Sequence, residues 1–313
     1  MAYLSDTIRV NSEGLLGCLA VFCSAFFFYL STVVIRWSEP WGTIDPAFFV
    51  FARFFLGFVV ICSILLIRKQ KIRARRYDLL IARAVTNCLA VYFFYKAVDM
   101  TSVANGNILN MTFPLFVAVF SWIFLKDQRD LLTSAIVGIA FGGVWLILSP
   151  GSMGLDMNNL WGLASGFTAS FSIISLNLSR QFHDSETILF YMFGLGALIT
   201  FACFHDKIYV PDLRSLYYLF LCAGFGICGQ YLLTLGFRYV TAVEGGIISS
   251  TRILLAAILG PYIAMDPPLS LSGWIGAILI FGANIYLAIR KAKNINSDRK
   301  KTQKTLRFFR RWI

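Results

Sequence analysis

Tyr95-Lys-Ala-Val-Asp-Met-Thr-Ser-Val-Ala-Asn-Gly-Asn-Ile108 and Thr234-Leu-Gly-Phe-Arg-Tyr-Val-Thr-Ala-Val-Glu-Gly-Gly-Ile247 lie over one another at a constant offset of 139 residues. Each copy is the end of one apolar stretch, a tight polar turn and a helix start rich in small residues. A repeat of this length sets the architecture, because it divides the chain into two related halves. Five apolar stretches separate the copies. An odd number of crossings turns the second copy over, so the first faces one side of a membrane and the second the other.

Working outward, the composition names the solvent. Of the 313 residues 58% are hydrophobic and 14% charged, against roughly 25% charged in soluble domains, and the mean hydropathy is +0.71. Hydropathy, with breaks at charge, Pro and Gly, predicts spans near 13–35, 46–67, 78–98, 101–125, 131–149, 158–180, 185–204, 214–237, 241–265 and 269–289. The expected fold is an all-α membrane protein of ten transmembrane helices in two inverted five-helix repeats, 13–149 and 158–289. An N-terminal segment 1–12, an external linker 150–157 and a basic tail 290–313 complete the chain. The first apolar stretch is too long for a signal-peptide core, so it is expected to stay as a span.

Charge gives orientation. With the N-terminus in the cytoplasm, inside segments carry 21 Lys and Arg and outside segments four, with Arg53, Arg83 and Arg252 inside spans. The bias predicts both termini cytoplasmic. It also accounts for the net charge of +12 through topology and anionic headgroups, with no nucleic-acid partner. Arg307 to Ile313 alternates arginine with Phe308, Phe309 and Trp312, a pattern suited to the membrane surface. All seven cysteines fall within spans at no metal-ligand spacing, so neither disulfide nor metal is expected. No phosphate-binding loop or nucleophile–base set is present, so neither ATP-driven pumping nor catalysis is expected, and no cofactor.

An arginine inside a span costs roughly 2.5–3.5 kcal/mol on insertion scales unless it finds a partner, a wet cavity or the interface. Arg252 sits near mid-span and is expected to face a central cavity. Arg53 and Arg83 lie nearer span ends, where either binding or snorkelling would serve. Glu244, Ile248 and Arg252 share one helical face. Glu244 is read either as a proton-coupling site or as a helix-start carboxylate favoured by the macrodipole. Asn107 and Asn110 stand one turn apart ahead of Pro114, which removes a backbone hydrogen bond and frees a carbonyl around Asn110. Lipid cannot satisfy that carbonyl, so the stretch should face protein or cavity. Asn87, Tyr92, Tyr95, Gln230 and Tyr231 complete the candidate substrate-binding set. Ser165, Thr168, Ser172, Ser175 and Ser179 form a hydroxyl stripe that serves either packing or the pathway. Gly138–Gly142 and Gly162–Gly166 offer small-residue contacts within the chain or between two copies in a homodimer.

The chain resembles the drug/metabolite transporter superfamily in its ten-span branch with two EamA-type domains. The likeness rests on Ala52-Arg53-Phe54-Phe55, the Tyr95-Lys-Ala-Val…Ala104-Asn-Gly-Asn-Ile turn, Phe113-Pro114-Leu115-Phe116, and the glycines of spans 5 and 10 (Gly138, Gly142, Gly143, Gly276, Gly282). Asp127 and Asp266 stand where that family often has Glu, and Ile253 stands where a second proline is common. The resemblance implies a central cavity between spans 3, 4, 8 and 9, with spans 5 and 10 peripheral. Arg53, Arg83 and Arg252 together resemble the subgroup of S-adenosylmethionine and riboflavin carriers. The expected function is a secondary transporter for a small polar or anionic organic metabolite, nucleoside-like or cofactor-like, in a bacterial inner membrane. An exporter of amino acids or drugs, and a non-transporting scaffold or lipid-headgroup translocator, are the competing readings.

Overall fold

A computed structural model describes residues 2–42, 44–124, 131–148, 156–240, 242–287 and 289, and every regular element among them is helical. The helices are α1 (Ala2–Ser38), α2 (Pro46–Ile67), α3 (Tyr77–Met100), α4 (Val103–Asn110), α5 (Phe113–Phe124), α6 (Leu131–Leu148), α7 (Asn159–Ser179), α8 (Ser185–Phe204), α9 (Leu213–Tyr239) and α10 (Ala242–Leu259). A wider π turn, Gly260–Ala264, continues α10, and α11 spans Leu271–Leu287. Six of the described helical stretches are long and apolar enough to cross a membrane, and shorter apolar helices accompany them. The helix begins at Ala2, before the polar segment gives way to apolar sequence, because no Pro or Gly interrupts residues 2–13. The side chains of those residues, the stretch around Asp127 and the tail with Arg307 to Ile313 lie outside the described residues.

Helix starts follow their capping chemistry. Asp45, Ser102, Asp184 and Asp212 each accept a hydrogen bond from a first-turn amide of the helix they precede, meeting donors that have no intrahelical partner. Pro114 breaks the fourth stretch into α4 and α5, as its missing N–H and its clash with the carbonyl four residues back demand. The Thr112 amide turns back to the Leu109 carbonyl at 3.1 Å. Asn284 of α11 donates to the Met111 carbonyl at 2.9 Å, and Gly166 of α7 lies so near that a Cβ there would fall 2.2 Å from Thr112 Oγ1 and 2.8 Å from the Leu109 carbonyl. The broken stretch thus faces protein on both sides.

Packing obeys a twofold. α1 lies along α9 and α3 along α7; α2 also meets α9 and α3 meets α8; α1 meets α10 and α4 meets α7. Each pair becomes its twin when the halves are exchanged. Mates also touch directly and run antiparallel. A Cβ on Gly57 would meet the Phe193 ring and one on Gly196 the Phe54 ring, two contacts that interchange under the offset of 139, which relates Gly57 to Gly196 and Phe54 to Phe193. Asn110 meets Arg252 while Ala104 nears Gly260, so α4 and α10 also oppose one another. Gly143 of α6 and Gly276 of α11 approach backbone to backbone. Two apolar cores result: one among α1, α2, α3, α8 and α9, the other among α4, α5, α6, α10 and α11.

The two small-residue motifs separate by environment. Gly162 and Gly166 receive Leu109 and Thr112, whereas a Cβ on Gly138 or Gly142 would meet nothing within 4 Å. Gly166→Ala is therefore expected to lower the melting temperature of the purified protein through overpacking, at a cost of about 1–3 kcal/mol. Gly138→Ala should leave it unchanged or raise it, since helix propensity alone favours Ala by up to about 1 kcal/mol.

Candidate functional site

Three arginines turn inward between helices of the two halves. Arg53 is 3% exposed, Arg83 2% and Arg252 5%. Arg53 Nη1 donates to the Tyr95 hydroxyl at 3.0 Å, and its guanidinium carbon lies 5.1 Å from the Phe28 ring centre. Gly226 of α9 makes this possible, since a Cβ there would sit 3.0 Å from Arg53 Cδ and Nε. Arg252 Nη2 donates to Asn110 Oδ1, and its guanidinium lies 5.0 Å from Phe94 and 5.8 Å from the same Phe28 ring. Arg83 Nη1 donates to the Ser172 hydroxyl.

Hydroxyls and amides hold these groups. Asn110 Nδ2 donates to Ser165 Oγ, which donates to the Ala90 carbonyl at 2.9 Å. Ser172 Oγ donates to Asn87 Oδ1 at 3.4 Å. Ser31 Oγ lies 2.7 Å from the Tyr95 hydroxyl and 3.0 Å from the Cys222 carbonyl. Part of the α7 stripe thereby orients polar side chains in the interior. Asn107 Nδ2 donates to Thr32 Oγ1 at 3.0 Å and to the Val103 carbonyl at 2.8 Å.

What is left unmatched is equally informative. The Nε–H groups of Arg53, Arg83 and Arg252, together with Asn87 Nδ2, Asn107 Oδ1 and Gln230 Nε2, are buried without a hydrogen-bond partner. Among the described residues, no carboxylate lies within ion-pair distance of any of the three arginines. Buried ions each cost several kcal/mol unless compensated, and buried polar groups without partners are rare enough to need a cause. The sequence leads one to expect an open cavity around Arg252; the structure instead closes over it, away from lipid, against Asn110 and two aromatic rings.

The remaining candidates divide. Tyr95 and Asn110 join the arginines, and Asn87 reaches them through Ser172. Tyr92 stacks on Phe204 with ring centres 4.7 Å apart, and Tyr231 packs against the larger core. Glu244 lies in the first turn of α10, and its side chain is outside the described residues. His183 serves structure: Nε2 accepts from the Arg75 and Arg76 amides at 3.1 and 3.2 Å. Phe28, Phe94 and Gly226 were not among the expected residues. Only Gly226 left a trace, as a glycine one turn before Gln230.

Asp266 closes the end of the bundle where α1 finishes. Its Oδ2 accepts from the Val103 amide at 2.7 Å and the Ala104 amide at 3.3 Å, and Oδ1 lies 3.3 Å from Arg36 Nε. Arg36 also donates to the Thr101 carbonyl, and Trp37 Nε1 donates to the Ile263 carbonyl at 2.8 Å. Burial pushes the Asp266 carboxyl above the usual carboxylate range, while Arg36 and the two amides pull it back. The folded carboxyl thus holds its proton more readily than the unfolded one. This group favours the folded state as pH falls through the window between the two values and disfavours it as pH rises.

The comparisons with known proteins bear on this arrangement. The profile of the EamA-like transporter family matches residues 15–149 and again 157–289. The chain belongs to that family. It is 26% identical to the pseudopaline exporter of Pseudomonas aeruginosa PAO1 over 243 residues, which is 76% of this chain and 83% of the relative. It is 24% identical to a riboflavin transporter of Brucella anthropi over 274 residues, 85% and 95% of the two chains. A solved crystal structure aligns at TM-score 0.57 and 19% identity, covering 89% of this chain and 98% of its own, and supports the fold alone. Family and relatives make this EamA-like protein an integral membrane transporter of small solutes.

Two measurements test the site's electrostatics. Arg83→Met, similar in length and uncharged, is expected to raise the stability of the ligand-free protein by about 1 kcal/mol or more, since it removes an uncompensated buried ion. Asp266→Leu should lower stability by about 2–4 kcal/mol, because it strands two α4 amides and Arg36, whereas Asp266→Asn keeps an acceptor and should lose less. Thermal melting in detergent reads both.

Proposed function

We propose that the chain is a secondary transporter that carries a small polar or anionic organic metabolite across the bilayer by alternating access, with nucleoside-like or cofactor-like solutes favoured. Its ten spans would form two inverted five-helix repeats, 13–149 and 158–289, joined by an external linker at 150–157. Both termini would face the cytoplasm of a bacterial cell, in the inner membrane, with 1–12 and the basic tail 290–313 on that side. The antiparallel mates and the 21-to-4 distribution of basic residues support this arrangement.

One observation carries the reading: three buried guanidinium groups, unpaired with any described carboxylate, gathered between the halves. A merely structural bundle has no use for charges so costly to bury, and intramembrane ionisable groups mark transport pathways. Arg252, Arg53 and Arg83 would meet negative charge on the solute, with Tyr95, Asn110 and Asn87 orienting them and Asn107 and Gln230 supplying free polar atoms. Tyr92, Tyr231 and Glu244 remain candidates at the margins, the last for proton coupling. The likeness to an exporter supports export, of amino acids or drugs, as the second reading. A homodimer would use the open Gly138–Gly142 face, and nucleic acid has no part.

Counterflow in proteoliposomes across a metabolite panel tests the proposal. Solute exchange should fall about 10- to 100-fold in Arg252→Ala, the factor expected for a lost charge-assisted hydrogen bond. It should persist in Arg73→Ala, whose side chain is exposed. No exchange of any solute by the unaltered protein would favour a scaffold or a lipid-headgroup translocator.

A further inference from the structure

The three arginines specify more than a polar ligand. Among the described residues, every hydrogen-bond partner they have is a neutral oxygen: the Tyr95 hydroxyl, the Ser172 hydroxyl and the Asn110 carbonyl. The rings of Phe28, Phe94 and Tyr95 offer their faces to the Arg53 and Arg252 cations, which eases a positive charge but cannot neutralise it. The buried carboxylate nearest the bundle end, Asp266, is engaged by Arg36 and the α4 amides, and Asp99 pairs with Lys96 at 3.7 Å. Even with a carboxylate lent by Glu244, two turns before Arg252 on α10, two positive charges would stay uncompensated.

The charges are also spread. Arg53 and Arg252 flank one ring, Phe28, while Arg252 and Arg83 are linked to Ser165 and Ser172, seven residues apart on α7 and so about 10 Å apart along its axis. Each guanidinium keeps its Nε–H free, a donor whose best acceptor is an anionic oxygen. A monoanion would meet one of these groups and leave the other like charges unneutralised in a low-dielectric interior.

We infer that this site takes an organic solute with at least two negative charges, phosphate-bearing or dicarboxylate, bridging the guanidinium groups of Arg53, Arg83 and Arg252. The inference rests on the transporter reading for its site and adds the charge of the cargo. Asn87 Nδ2 and Gln230 Nε2, both unpartnered donors, suit the same acceptor-rich ligand.

Thermal melting of the purified full-length protein in detergent, at fixed ionic strength, tests it with succinate, citrate, inorganic phosphate, glycerol 3-phosphate, acetate and glycerol. At least one multiply charged probe should raise the melting temperature by a few degrees, while acetate at ten times the concentration and glycerol should not. Succinate and citrate against the two phosphates tell which anionic group is preferred. Arg252→Met should abolish the shift while itself melting no lower than the parent, and Arg252→Lys should keep part of it. Failure of every multiply charged probe, or equal stabilisation by acetate, overturns the inference. Counterflow keeps the two readings apart: exchange of uncharged riboflavin without response to dianions would leave the carrier standing and sink the dianion. Dianion binding without exchange of any solute would do the reverse.

Discussion

Positive charge held out of water is the constraint on which the rest of this molecule depends. A guanidinium in a bundle interior must be solvated by something, and here the protein supplies only part of the solvation: one neutral oxygen per arginine and the faces of a few rings. Much of the local sequence exists to make that partial arrangement possible. Gly226 clears space for the Arg53 side chain, Ser165, through Asn110, and Ser172 hold Arg252 and Arg83 at different levels of α7, and Phe28 is shared by two cations. The remaining deficit is a stored demand for anion, which a stable apolar core would not carry.

The second constraint is backbone satisfaction in a medium without water. Pro114 opens the α4–α5 stretch within the same layer that holds Asn110; Asn284 donates to the Met111 carbonyl from outside the helix, and Gly166 lets α7 pack closely against the break. A break placed there puts Asn110 on a short helix rather than deep in a long one. Its side chain can then bridge Arg252 and Ser165, joining the two halves through one amide.

The architecture was legible because its signals are local or periodic. Apolar length located the helical stretches, Pro114 located the break, and the offset of 139 found the register in which Phe54 and Phe193 enter the notches of Gly196 and Gly57. The interior place of Arg252 was legible for the same reason, since its cost does not depend on which neighbour it meets, whereas Arg53 and Arg83, nearer span ends, were open to snorkelling and are found buried. Partnership was not legible. Phe28 is one of three consecutive phenylalanines, and nothing in that run says which ring faces a cation; Asn284 is a lone amide on a helix expected to be peripheral. Tyr92 shows the same limit: this phenol stacks on Phe204, because rotation about the helix axis, which spacing fixes only relative to its own helix, decides what each side chain meets.

The closure at the α1 end follows from the same twofold. Asp266 accepts from the first amides of α4, at Val103 and Ala104. The offset of 139 takes those two positions to Ala242 and Val243, which open α10, and takes Asp127 to Asp266. The sequence therefore repeats, for the opposite end, the ingredients of the observed latch: a carboxylate and the start of a helix whose positive dipole end attracts it. Two states that interconvert in a carrier must lie within a few kcal/mol of one another, or one of them is never populated. Building each end's closure from the same parts is a direct way to hold that balance. The ends are not identical, however: Arg36 stands beside Asp266, and the offset of 139 takes Arg36 to Ser175.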